Sequence, residues 1–264
     1  MPYELERFPD EWDSFHAEVV DPRRLVSAIE ADCLRHGLAR LRPEDLVAFG
    51  RWLHGEEDPY VRRFLVSPPG ERWTSVLLSA IDWDLGWSAN MAAVLGCRAA
   101  YLQLSDGDVF SLHLFDGPAY VAGYASSTDY FDLPPRPAGD LGVDPEAVLA
   151  FCRAGTTIEE VREALAPPGR IDVDGRLAFL RTAALLELPP RAATSYREAL
   201  ESDGVTPLPE FADHVHLTYR EVDQSEAEAE GDGESAEEGL ESVAPSGPTL
   251  VVPDGGVVLP FRRK

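Results

Sequence analysis

Lysine is almost missing from this sequence: Lys264 is the only one, and the other 22 of its 23 basic residues are arginine. That bias fits the codon usage of a GC-rich bacterial genome. Cysteine is scarce as well. Cys33, Cys97 and Cys152 are odd in number, far apart and outside CxxC spacing, which fits buried thiols in a reducing cytoplasm. No run approaches 18 apolar residues, so no membrane span is expected. The opening stretch MPYELERFPDEW has no apolar h-region, so no signal peptide is expected and the expected location is cytoplasmic. GxSxG, GxGxxG and GxxxxGK[ST] are all missing, so the common serine-hydrolase, dinucleotide and P-loop signatures offer nothing. There is no internal repeat.

Acid is what the sequence has in excess. The 264 residues hold 47 Asp and Glu, giving a net charge of −24. An acidic surface repels phosphate backbones, which argues against nucleic acid and against anionic membrane as partners. It favours a basic protein partner. The excess peaks in residues 223–248, a Glu/Ala/Gly/Ser stretch that buries too little to offset its ordering entropy and reads as a disordered linker. Beyond it, TLVVPDGGVVLPFRRK (249–264) is apolar, β-branched and split by PDGG. It reads as a hairpin-like peptide that either docks back on the domain or adds to a partner's sheet edge.

Periodicity divides the rest. Residues 1–66 read as an N-terminal helical segment: Asp21 and Pro22 open a helix that closes at Gly37, RPEDLVAFGRWLHG repeats the scheme, and DPYVRRFLV reads as a third, shorter helix. Residues 67–222 read as an α+β core domain. RWTSVLLSAID is a strand and WDLGWSANMAAVLGC a helix. CRAAYLQLS, DVFSLHLF and AYVAGYAS follow as three strands joined by DG turns. The order β-α-β-β-β implies a central, mostly antiparallel sheet. In VFSLHLF, Phe110, Leu112 and Leu114 share one face, and Val109, Ser111, His113 and Phe115 the other. DPEAVLAFCRAG, TTIEEVREAL with its capping-box spacing, DGRLAFLRTAALLEL and AATSYREAL form a C-terminal helical layer. HVHLTYREV (214–222) alternates as one more strand.

Three constellations are candidate chemistry. Asp82 and Asp84 flank Trp83, Asp106 and Asp108 flank Gly107, and Asp116 and Asp129 sit in later turns. Clustered carboxylates with a histidine could bind a divalent cation, and Asp82, Asp84, Asp106, Asp108 and His113 would be the set for a metal-dependent hydrolase. Asp is also the preferred turn residue, and turn chemistry alone accounts for Asp106 and Asp108. His214 and His216, two apart on a strand, would need a third metal ligand such as His113. DVDG (172–175) is not a calcium loop, because Arg176 and Ala183 fall where ligands are required. The bland reading prevails in each case, and no metal or cofactor is expected. Among the aromatics, Trp73 and Trp87 have in-register apolar neighbours and belong in a core. Trp83, between two aspartates, fits an anchor for a basic partner.

The string from 73 to 131 carries a resemblance. A strand opening on Trp73 leads to the ANMAAVLGC helix, then the SDGD turn, a strand ending FDG, and YASSTDYF. It resembles an uncharacterised group of bacterial proteins and the small α+β immunity-type proteins that neutralise toxins in contact-dependent systems, and the helices to SYREAL extend the likeness over about half the chain. The resemblance implies a protein-binding inhibitor without catalysis. The expected partner-binding residues are Asp82, Trp83, Asp84, Asp106, Asp108, Asp129 and Tyr130. A structural or developmental protein binding through residues 249–264 is the remaining alternative.

Overall fold

The computed structural model describes residues 12–18, 21–41, 61–79, 85–107, 109–127, 141–165, 171–189, 196, 198–201 and 206–221. The expected helix over 43–53, the acidic linker and the 249–264 peptide lie outside the described residues. In chain order the elements are β1 (Trp12–Ala17), α1 (Pro22–Arg35), β2 (Leu38–Arg40), β3 (Val61–Val66), β4 (Thr74–Leu78), α2 (Leu85–Leu95), β5 (Arg98–Ser105), β6 (Val109–Asp116), β7 (Ala119–Ala125), α3 (Pro145–Leu149), α4 (Ile158–Leu165), α5 (Ile171–Leu185) and β8 (Val215–Glu221). A single 3-10 turn, Pro209–Phe211, precedes β8 among the described residues.

Local signals explain the helix ends. Asp21 accepts the Arg23 backbone N–H at 3.0 Å, and Pro22 occupies the first helical position of α1. At the N-terminus of α4 the Thr157 hydroxyl accepts from the Glu160 backbone N–H at 3.2 Å, and the Glu160 carboxylate accepts in return from the Thr157 N–H at 2.7 Å. This is the capping box at one of its two expected registers. α3 is shorter than expected and ends before Cys152.

The eight strands form one sheet in the order β2-β8-β3-β4-β1-β5-β6-β7, with every pairing antiparallel. The turn between β5 and β6 has positive φ at Asp106 (52°) and Gly107 (71°), and Arg176 of α5 donates to the Gly107 carbonyl at 2.8 Å. The β6–β7 turn has Gly117 at φ 55°, a conformation open to glycine. The DG signals therefore mark two real hairpins.

Helices cover both faces. On one face Trp12, Leu102, Leu104, Phe110, Leu112 and Leu114 pack against α3, α4 and α5 through Val148, Val161, Leu165 and Phe179. On the other, Phe15, Phe64, Val76, Tyr101 and Phe115 pack against α1 and α2 through Leu25, Ile29, Trp87 and Met91. Each large apolar side chain removed from water in these layers contributes roughly 1.5–3 kcal/mol. The predicted faces of β6 are as expected.

The expectation for residues 1–66 needs correction. α1 forms, but this segment also supplies β1, β2 and β3. VRRFLV is a strand that sends Phe64 and Val66 to the α1–α2 face and Leu65 to the other. Its paired arginines interrupt the apolar alternation by which a strand is recognised. β1 lies between β4 and β5, so the β-α-β-β-β unit is split by a strand from the far N-terminal side. AATSYREAL, expected as a short helix, shows turns and an isolated bridge between Leu200 and Pro207 among its described residues.

Candidate functional site

Of the seven expected partner-binding residues, Asp106 alone is described, exposed at the tip of the β5–β6 hairpin. Asp82, Trp83, Asp84, Asp108, Asp129 and Tyr130 lie outside the described residues. The register nevertheless relates their neighbours. β4 and β5 each pair antiparallel with β1, so they run parallel to each other. Ser79, leaving β4, and Asp106, leaving β5, therefore sit at the same rim of the sheet.

His113 is not at that rim. It lies opposite Tyr101, five residues before the Asp106 turn, or about 17 Å along the strand. The described parts of the Asp82/Asp84/Asp106/Asp108/His113 hydrolase set are thus kept apart. His216 is on β8, with four strands between it and β6, about 24 Å across the sheet. A His113/His214/His216 metal site is excluded by that spacing. His214 precedes β8 and bonds Asp213 at 2.8 Å, while His216 bonds the Tyr196 hydroxyl. Among the described residues, no group of three metal-binding side chains comes together.

What the structure does assemble is polar and buried, and much of it radiates from β1. All six residues of WDSFHA are buried, and alternation sends them to opposite faces. Towards α1 and α2, Asp13 accepts from the Tyr101 hydroxyl at 3.1 Å. The Tyr101 ring stacks on His113, with centroids 6.0 Å apart, and His113 Nδ1 meets the Tyr120 hydroxyl at 3.1 Å. Burial pushes the His113 imidazole down to about 4 and the Tyr120 phenol up to about 12. The pair is therefore a neutral hydrogen bond at ordinary pH. Tyr120 reaches His113 across Gly123, where a Cβ would overlap the phenol.

Towards α3–α5, His16 bridges two hydroxyls. Nε2 meets Ser14 Oγ at 2.8 Å and Nδ1 meets Ser75 Oγ at 2.9 Å. Burial lowers the imidazole to about 3. A neutral ring donates through one nitrogen and accepts through the other, so both hydroxyls are satisfied. Burial also raises the Cys33 thiol to about 12 and the Cys152 thiol to about 11, which keeps them out of thiolate chemistry.

A third cluster sits on the same face as His16, over β3 and β8. Tyr196 bonds His216, and burial raises the phenol well above its usual value while the adjacent Arg63 guanidinium opposes the rise. The sequence reading missed Asp13, Ser14 and His16. The available signal was the alternation of Trp12, Ser14 and His16 against Asp13, Phe15 and Ala17. Three polar residues in a doubly buried strand conceal it, because hydropathy sees neither an apolar run nor a wet face.

Fold and clusters together define an α+β protein whose antiparallel sheet is buried between two helical layers, with a polar seam along its β1 strand. No family model, curated protein or solved structure matches the chain.

Proposed function

We propose that this chain is a non-catalytic protein-binding protein of the bacterial immunity type, which occludes a basic toxin partner by steric and electrostatic contact. Asp82, Trp83, Asp84, Asp106, Asp108, Asp129 and Tyr130 would form the contact surface, with Trp83 as anchor. The observation that carries the reading is the common rim: β4 and β5 deliver Ser79 and Asp106 to the same end of the sheet, within five residues of Asp82 and Asp84. Acids brought together on one rim of a chain with net charge −24 would steer a basic partner and raise its on-rate.

The test is a titration. Purified products of the genes adjacent to this one are titrated against the full chain at 0.05, 0.15 and 0.5 M NaCl. A 1:1 complex with a basic protein is expected, with Kd weakening at least tenfold across the series as screening shortens from above 10 Å to below it. Trp83→Ala should weaken it about 30-fold, the equivalent of about 2 kcal/mol at an interface hot spot. No complex at 0.05 M NaCl would overturn the reading.

A further inference from the structure

Arg63 is an unusual cation for this chain. The protein holds 47 acids against 23 bases, yet the half-buried Arg63 forms no ion pair among the described residues. Two neutral groups lie against it. Its backbone N–H donates to the Ser79 hydroxyl at 3.1 Å. Its guanidinium lies beside the Tyr196 phenol, which is 4% exposed and bonded to His216.

A second observation points at the same place. Thr218 is the cross-strand partner of Arg63, so the two side chains stand on one face of the β3–β8 ladder. Thr218 is 2% exposed, and its Oγ1 is buried without a hydrogen-bond partner. A hydroxyl left in this state costs about 1–3 kcal/mol. A planar guanidinium on the same sheet face as a spare hydroxyl donor is an arrangement suited to carboxylate or phosphate oxygens.

We propose that Arg63 and Thr218, backed by Tyr196, form a binding site for an anionic group, a carboxylate or a phosphate. The site adjoins the rim that Ser79 reaches, since Arg63 bonds Ser79 through its backbone, but it does not depend on the protein-binding reading. The net negative charge of the chain does not forbid it, because exposed charges beyond about 8 Å are screened at physiological ionic strength. Two sources present that chemistry: a free small-molecule anion, and the carboxylates of residues 223–248, which follow β8 directly.

The full chain is titrated with inorganic phosphate and then acetate at constant ionic strength, by calorimetry and thermal shift. The same titrations are run on a tail variant, Glu226→Gln with Glu228→Gln and Glu230→Gln. A saturable rise in Tm that chloride does not reproduce is expected in at least one of the two proteins. Arg63→Met should weaken the Kd at least tenfold, Arg63→Lys by less, and Thr218→Val two- to fivefold without lowering the Tm of the unliganded protein. An affinity that rises threefold or more in the tail variant identifies the tail as the resident anion, and an unchanged affinity identifies a free ligand. A response no larger than that of chloride in both proteins overturns the proposal, as does native affinity in Arg63→Met. Should Arg63→Met fail to fold, native affinity in both Arg63→Lys and Thr218→Val overturns it equally.

Discussion

At Gly123 the β7 strand forgoes a side chain so that Tyr120 can lie across it and reach His113. Any Cβ there displaces the phenol, since the ring is the movable party. The cost of Gly123→Ala is therefore the lost hydrogen bond to a buried imidazole, about 1–3 kcal/mol, and not a broken backbone. Chemical denaturation of Gly123→Ala, Tyr120→Phe and the double variant checks this. The two changes should be strongly non-additive, with Gly123→Ala costing little once the hydroxyl is gone. Full additivity would mean that the glycine serves something else. Nothing at the residue scale announced this role in the sequence: Gly123 reads as a weak spot in a strand until Tyr120, three residues earlier, is seen to fold back along it.

The decisive element is β1. It separates β4 from β5 and carries a different polar group to each face. His16→Leu should destabilise the protein by about 2–4 kcal/mol, because it strands the Ser14 and Ser75 hydroxyls in the core. Adding Ser14→Ala and Ser75→Ala should recover much of the loss, since removing all partners is cheaper than removing one. Urea midpoints of the single and triple variants decide the matter, and a triple variant less stable than the single would contradict the account. β1 also shows where sequence reading stops. The β5–β6–β7 meander was legible because DG turns and aromatic alternation are local signals. The caps of α1 and α4 were legible for the same reason. β1 and β3 were not, because their evidence is tertiary: neighbours contributed by distant strands satisfy the polar groups that make them look unlike strands. The candidate site was legible only as a set of turn acids. That Asp106 shares a rim with Ser79 depends on β1 lying between β4 and β5, and no local pattern records that.

For the whole molecule, the two buried histidines set an acid limit. Unfolded histidine takes its proton near 6.5, whereas folded His16 and His113 resist until about 3 and about 4. The unfolded chain therefore binds more protons below 6.5, and stability falls as the pH drops from 6.5 towards 4 and then 3. At pH 5 the loss is about 2 kcal/mol for each histidine. Denaturation midpoints between pH 7.5 and 4.5 should decline accordingly, and His16→Leu should show about half the native slope. An equal slope in that variant would show that carboxylates dominate the acid response.

The same scale holds the functional claim. A chain of net charge −24, with the proposed contact surface around Asp106, should on that proposal act on a basic partner simply by covering it. The most direct measurement is colony survival when the adjacent genes are induced singly in cells with and without this chain. The account expects one basic product to reduce colony counts by several orders of magnitude alone, full survival when the native chain is co-expressed, and partial survival with Trp83→Ala. Survival that never depends on the chain, whichever neighbour is induced, would contradict it.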